Sequence, residues 1–257
     1  MGDVSFSFAG ETLHPLTCGA LFWPARETLL VADLHLEKGS AFARKGWLLP
    51  PHDSVDTLRK LAAAVRLTGA RDVVALGDSF HDADGPARLP EAARELLAAL
   101  LDSTRWLWVT GNHDGESGAA LGGQAVPEVR LGGIALRHEA EPHKSDVAEP
   151  YKPDVAEPYG SDAAEPDGSG AEISGHFHPK VLLELRTGRR VSRRCLALAG
   201  ERLVLPAYGA FAGGLFVDDP AFARALGARP EALLALPEGL LRIPAPDKSP
   251  LDKDKAA

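Results

Sequence analysis

Cysteine is scarce: Cys18 and Cys195 are the only two in 257 residues, far apart and with no partner at metal-ligand spacing. That excludes a disulfide framework and a thiolate metal cluster, and the two thiols read as reduced. Long apolar runs are missing as well, and none approaches the roughly 18 residues that a membrane-spanning helix needs. The first residues, Met1 to Phe8, carry no basic segment leading into an apolar one, so export is not expected and a cytoplasmic location is. Positive charge is outnumbered too, with 28 Lys and Arg against 36 Asp and Glu and a net charge of −8. The imbalance is local. Residues 141–172 hold nine acids against Lys144 and Lys152, which leaves the rest of the chain near −1. The total charge therefore says little about partners.

What is present is enough apolar sequence, 45% of the residues, for one large domain or two small ones with a buried core. Loose alternation over residues 4–23 predicts one or two short strands. Thr28-Leu-Leu-Val-Ala32 reads as a buried strand running into Asp33-Leu34-His35. Asp53 or Ser54 is placed to cap a helix with Val55, Leu58, Leu61, Ala62 and Val65 on one face, closed by Gly69. Asp72-Val-Val-Ala-Leu76 is the next strand and ends in Gly77-Asp78. Pro90 at the first helical position opens a second helix with Ala93, Leu96, Leu97, Leu100 and Leu101 as its stripe. The apolar run Trp106 to Thr110 then leads into Gly111-Asn112-His113-Asp114. Strand, helix, strand, helix, strand implies a right-handed parallel α/β unit. Ligands of such sheets bind outside the carboxyl ends of the strands, so Asp33, Asp78 and Asn112 should meet along one rim.

The second half is more strand-like. Gly133 to Leu136 leads into Arg137-His138, and Ile173-Ser-Gly175 leads into His176-Phe177-His178. Residues 181–185, 195–198, 202–205 and 214–217 are short runs between Gly, Pro or Arg-rich turns, as in antiparallel sheet. Two packed sheets flanked by helices accommodate both halves. The repeat Asp146-Val-Ala-Glu-Pro-Tyr151, Asp154-Val-Ala-Glu-Pro-Tyr159, Asp162-Ala-Ala-Glu-Pro166 is too polar and too short in period to form a core. Residues 141–171 are thus expected to be an inserted, mostly disordered acidic loop within a domain spanning 1–217. Residues 218–243 are expected to be a helix and strand extension of that domain, and 244–257 a frayed tail.

The candidate ligands are Asp33, His35, Asp78, Asn112, His138, His176 and His178. Carboxylate and amide oxygens mixed with imidazoles suit Mn²⁺, Zn²⁺ or Fe and suit Ca²⁺ poorly. Residues two apart in a strand share a face, so Asp33-x-His35 and His176-x-His178 are each expected to bite one ion. Seven ligands exceed the need of one cation. Two cations roughly 3.5–4 Å apart form the clamp used for in-line displacement at phosphorus, activating a water and stabilising the leaving oxygen.

The ordered set Asp33-Leu-His35, Gly77-Asp78, Gly111-Asn112-His113-Asp114, His138 and Gly175-His176-Phe-His178 resembles the calcineurin-like metallophosphoesterase superfamily over about residues 28–180. The resemblance implies a four-layer αββα sandwich holding two divalent ions, Mn²⁺ before Fe or Zn. It puts Asp33, His35 and His178 on one ion, Asn112, His138 and His176 on the other, and Asp78 between them. His113 would stay off the metals as general acid or transition-state stabiliser, with Asp114 holding its ring. Asp33-Leu-His-Leu-Glu-Lys38 with Ala41-Phe42, His81, and Leu205-Pro-Ala-Tyr-Gly-Ala-Phe-Ala-Gly-Gly214 are similar to the DNA-ligase-associated (PdeM-like) members. That narrower likeness, over about residues 10–217, implies a bacterial phosphodiesterase or endonuclease linked to an ATP-dependent DNA ligase and helicase set. The chain departs from its pattern at His138-Glu139-Ala140, where His-Glu-Pro is usual, and in the acidic repeat that follows.

The expected activity is metal-dependent hydrolysis of phosphodiesters, with nucleic acid as the substrate class and Lys38 and His81 as substrate contacts. For His81 a plain loop role is the open alternative. A small-molecule phosphatase or cyclic-nucleotide phosphodiesterase would use the same site, and a non-catalytic scaffold would have lost ligands. Lys38, Arg44 and Lys45, and the cluster Arg186, Arg189, Arg190, Arg193 and Arg194, could neutralise phosphates, although a solvated hairpin is the default reading of the arginines. No recognition helix, zinc finger or aromatic stacking motif is visible, and sequence-specific recognition is not expected. Oligomeric state is not legible in the sequence.

Overall fold

The computed structural model describes residues 4–50, 52–113, 117–141 and 170–245. Almost all of the expected acidic loop, most of the expected tail and Asp114 lie outside the described residues. No helix among the described residues is long and apolar enough to cross a membrane.

Seven strands form the first sheet in sequence order: β1 (Phe6–Phe8), β2 (Glu11–Pro15), β3 (Leu21–Trp23), β4 (Thr28–Ala32), β5 (Asp72–Leu76), β6 (Arg105–Val109) and β7 (Gln124–Val126). The first three enter as an antiparallel meander; β4 to β7 are parallel. Residues 4–23 thus hold three strands, not one or two. The central strands are apolar on both faces. Leu29, Val31, Val73, Ala75, Trp106 and Trp108 face the helices, while Leu30, Ala32, Val74, Leu76, Leu107 and Val109 face the second sheet. Those alternations match the in-register ladder that aligns Leu30 with Val74 and Val74 with Leu107.

Helices α1 (Lys38–Ala43), α2 (Asp53–Thr68), α3 (Gly85–Arg88) and α4 (Glu91–Ser103) follow β4 and β5. Val55, Leu58 and Leu61 of α2 and Ala93, Leu97 and Leu100 of α4 are buried against the sheet, each larger side chain contributing about 1.5–3 kcal/mol. Their caps differ from expectation. His52, not Asp53 or Ser54, precedes α2, and Pro90 is itself the cap of α4. Asp53 and Ser54 serve a neighbour instead: Asp53 Oδ2 accepts the Gly39 N–H at 2.8 Å, and Ser54 Oγ accepts the Glu37 N–H at 2.8 Å while donating to Glu37 Oε1 at 2.7 Å. The long helix therefore anchors the start of α1, a short element that no periodicity announces.

The second sheet comprises β8 (Glu128–Leu131), β9 (Ile134–Arg137), β10 (Glu172–Ser174), β13 (Leu196–Ala199), β14 (Arg202–Val204), β15 (Glu231–Leu236) and β16 (Gly239–Ile243), in spatial order β16-β15-β13-β14-β10-β9-β8. Its middle strands β9, β10 and β14 are parallel and the flanking pairs antiparallel. Between β10 and β13 an exposed ribbon, β11 (Lys180–Glu184) and β12 (Arg190–Arg194), pairs antiparallel. The arginine stretch is thus half strand rather than turn. Gly214–Val217 forms no strand; it makes one bridge, Phe216 to Lys180, because it runs beside the ribbon's edge. One short helix, α5 (Pro220–Leu226), covers the outer face through Phe222 and Leu226. The layers are α2 with α4, sheet, sheet, and α5: an αββα sandwich.

Candidate metal centre

Each ligand loop leaves the carboxyl end of a parallel strand. Asp33 follows β4, Asp78 follows β5, Asn112 follows β6, His138 follows β9, and His176 and His178 follow β10. The loops are tied edge to edge by backbone bonds: Asp33 N–H to Gly77 C=O at 3.2 Å, His35 N–H to Asp78 C=O at 2.9 Å, and Gly175 N–H to His138 C=O at 2.8 Å. Two glycines in these loops are required by space. A Cβ on Gly111 would lie 2.2 Å from the Asp78 nitrogen, and one on Gly77, whose φ is +73°, would lie 2.2 Å from His138 Nδ1. Gly111 thus serves close approach and not a positive-φ turn.

Two groups of potential ligands result, Asp33 with His35 and His178, and Asp78 with His138 and His176. The Asp-x-His pair stays together, whereas the His-x-His pair is divided between the groups. Strand geometry does not govern either pair. Asp33, His35, Asp78, His176 and His178 all lie beyond their strands with φ between +43° and +68°, a left-handed conformation that Asp and His tolerate better than most residues. Asp33 touches members of both groups: its Oδ1 is 3.4 Å from His178 Nε2 and 3.8 Å from His138 Nδ1, and its Oδ2 accepts the His176 N–H at 2.9 Å.

The donor set fits cations. His35 Nε2 faces His178 Nε2 at 3.2 Å. Asp33 Oδ1 and His35 Nδ1 are buried without hydrogen-bond partners among the described residues. His138 Nδ1 faces an acceptor, the Leu76 carbonyl, at 3.1 Å, which places the proton there. Its Nε2 then turns a lone pair toward Asn112 Oδ1 at 2.8 Å and Asp78 Oδ1 at 3.5 Å. Lone pairs converging on oxygens in a buried site are stabilised by positive charge between them. Burial, then the neighbouring His178, pushes the His35 imidazole down to about 2, so it stands ready as a neutral ligand.

His113 sits at the same rim. Its N–H donates to Asp78 Oδ1 at 3.0 Å, its Nε2 is 3.8 Å from Asp78 Oδ2, and its Nδ1 is 3.2 Å from the His81 carbonyl. Among the described residues it is this carbonyl that orients the ring. The expected orienter, Asp114, lies outside them. The His81 ring stacks on His113 at 5.6 Å and lies tilted against Phe42 at 5.5 Å, and Lys38 Nζ lies 5.8 Å from the Phe42 ring. Burial lowers the pKa of both Lys38 and His81, and Lys38 lowers His81 further. Both expected substrate contacts are thus half-buried beside the rim. Glu139 Oε1 stands 3.8 Å from His176 Nε2.

These features together agree with one family. Residues 27–180 match the model described as Calcineurin-like phosphoesterase. The chain belongs to the calcineurin-like phosphoesterases. They are metal-dependent hydrolases with a dinuclear centre, and the two ligand groups stand where this phosphoesterase would hold its ions. Among solved structures it resembles a nuclease, MPE from Pseudomonas putida, at 25% identity and a TM-score of 0.63, over 90% of this chain and 95% of that one. It also matches Yfce, a phosphoesterase from E. coli, at 17% identity, a TM-score of 0.36, and 73% and 83% coverage of the two chains. No curated protein matches it.

The segment Leu205–Gly214, conspicuous in the sequence, closes the site from behind. Leu205 N–H donates to Ser174 C=O in the second sheet, whereas Tyr208 and Gly209 N–H donate to Ala32 and Asp33 C=O in the first. Two cations brace this crossing. Lys60 Nζ donates to Tyr208 C=O at 2.6 Å and lies 3.7 Å over the Tyr208 ring, and Arg194 Nη2 donates to Gly209 C=O at 2.7 Å. Burial, then Arg194, pushes the Lys60 ammonium down to about 8. No motif reading exposes Lys60, because one lysine on a helix surface is an ordinary residue.

Proposed function

We propose that this chain is a two-metal phosphodiesterase acting on nucleic acid. The observation that carries the proposal is the meeting of the two ligand groups at one rim with His113 beside Asp78. Asp33, His35 and His178 would hold one ion, Asn112, His138 and His176 the other, with Asp78 shared and Mn²⁺ as the expected metal. When bound, such a pair polarises the phosphoryl group and makes water a competent nucleophile near neutral pH.

The protein's own residues do the rest. Asp33 and Asp78 would supply the negative charge that offsets the two cations. Leu76 C=O holds His138 with its Nε2 facing inward. His113, steadied by the His81 carbonyl, carries a proton on Nε2 to the departing alkoxide. Lys38 and His81 beside the rim meet the phosphate backbone of the substrate. Nucleic acid is favoured because the nuclease neighbour spans 90% of this chain. The motifs shared with the ligase-associated members support a cytoplasmic role in bacterial DNA repair beside an ATP-dependent DNA ligase and helicase.

The test compares purified protein, stripped and then loaded with Mn²⁺, on single-stranded DNA, duplex DNA, a cyclic nucleotide and a phosphomonoester. Cleavage of DNA well above the small substrates is expected. Preference for the monoester or the cyclic nucleotide overturns the substrate class. Bound metal well below one ion per chain after loading overturns the centre itself.

A further inference from the structure

The chain has four tryptophans, and the structure hides three. Trp23, Trp106 and Trp108 are buried, while Trp47 is 70% exposed and its neighbour Leu48 89% exposed. They occupy the connection between α1 and α2, one residue after Arg44 and Lys45, both exposed. Trp47 with Leu48 makes an exposed apolar surface bordered by two cations, the kind of patch that marks a contact site when it is contiguous. The loop is held in place. Trp47 N–H donates to Phe42 C=O at 3.0 Å, as does Lys45 N–H at 2.9 Å, so the indole is borne on the carboxyl end of α1.

That position connects to the metal rim through rings. Phe42 packs on His81, His81 stacks on His113, and His113 meets His35 edge-on at 5.5 Å. Lys38 Nζ lies 5.8 Å from the Phe42 ring, at the end of this row away from the ligands. Arg44, farther along the chain, makes an exposed pair with Asp84 at 3.5 Å, the kind worth at most about 1 kcal/mol. Aromatic faces interleaved with basic side chains, leading away from a phosphoester-cleaving centre, match the repeat of an unpaired nucleotide strand, base and phosphate alternating.

We propose that Trp47 is a stacking platform for an unpaired base of a single-stranded nucleic acid whose backbone is gripped by Lys38, Arg44 and Lys45 on its way to the metals. The proposal rests on the nucleic-acid reading above and adds strandedness to it. Charge complementarity and continuity with the catalytic rim select this occupant over a second copy of the chain or another protein. Paired bases in a duplex do not offer a free face to the indole.

The experiment is intrinsic fluorescence of the full Mn²⁺-loaded chain titrated with a phosphorothioate oligothymidylate, which binds without being cut quickly. With three tryptophans buried, quenching by the oligonucleotide reports on Trp47. Quenching by the thymidylate strand but not by an abasic strand of equal charge or a blunt duplex is expected. Trp47→Ala should weaken the thymidylate strand roughly 5- to 100-fold, the range for one stacked base, and Trp47→Phe should restore much of it. Hydrolysis of bis(p-nitrophenyl) phosphate should be the same in all three proteins. Equal affinity of wild type and Trp47→Ala, with DNA cleavage intact, overturns the platform alone. Hydrolysis of the small diester with neither binding nor cleavage of DNA overturns the substrate reading and the platform together. Quenching or a blue shift that tracks protein concentration, lost in Trp47→Ala, assigns the surface to self-association and overturns the proposal.

Discussion

The first sheet brings mostly oxygens to the candidate centre, those of Asp33 and Asp78, with Asn112 Oδ1 against His138 and the single imidazole of His35, whereas the second brings only imidazoles, His138, His176 and His178. The sheets also differ in support. The strands β4, β5 and β6 pair in register over their whole lengths beneath two long helices, while β9, β10 and β14 share shorter ladders behind one short helix. Carboxylates are the ligands hardest to bury without compensation, and they sit on the half with the longer ladders. The second sheet's imidazoles sit on the half with the shorter ladders and take their orientation from individual bonds such as His138 to Leu76 C=O. Charge is fixed by one sheet and geometry is tuned by the other.

Substitutions can break that division, beginning with the largest effect. Asp78→Asn keeps the shape and removes the charge, so metal-dependent hydrolysis of any phosphodiester should fall to background while circular dichroism stays native. Retained turnover would place the bridging charge elsewhere, with Asp33 the next candidate. Next, His113→Ala should slow hydrolysis by about 10²- to 10⁴-fold with both ions still bound, as expected for loss of a proton-transferring group. Asn112→Ala, one residue earlier, should instead lower metal content toward one ion per chain. If both variants lose metal alike, the roles at 112 and 113 are not separate.

Gly77→Ala sharpens the comparison at the imidazole side. Its methyl would enter the His138 ring, and a displaced ligand should cost roughly 10- to 100-fold in affinity for one ion, read by titration of stripped protein with Mn²⁺. The smallest effect concerns the crossing segment that ties the halves together. Lys60 is held near 8 in the fold against an ordinary 10.5, so between those values the unfolded chain binds a proton that the native one lacks. Its contribution to stability therefore rises with pH from about 8 to 10.5. Chemical denaturation of wild type and Lys60→Met at both ends of that window should show wild type gaining stability relative to the variant as pH increases. A constant difference would mean that Lys60 keeps its proton in the fold.

Much of the first half was legible because its strands are long apolar runs whose alternation and endings agree. Thr28–Ala32, Asp72–Leu76 and the run ending at Val109 each show a polar motif at the point where the strand stops. The second half was legible mainly through residue types, since β10 is only Glu172–Ser174 and β12 is mostly exposed arginine. The division of His176 from His178 could not follow from a period of two, because both residues have left the strand and their side chains are aimed by backbone turns. Trp47 carried no signal either. A tryptophan in a linker between helices reads as core until its exposure is seen.

Five ligand residues in left-handed backbone, each costing on the order of 1–2 kcal/mol, represent a sum comparable with the net stability of a whole domain. The loops keep that curl because the hydrogen bonds between strand ends hold them, so the fold without ions is under load at its own rim. Cations bound only to the native state draw the equilibrium back toward it. Resistance to heat thus becomes a gauge of metal occupancy, and the melting temperature of this protein should climb with each ion it takes up.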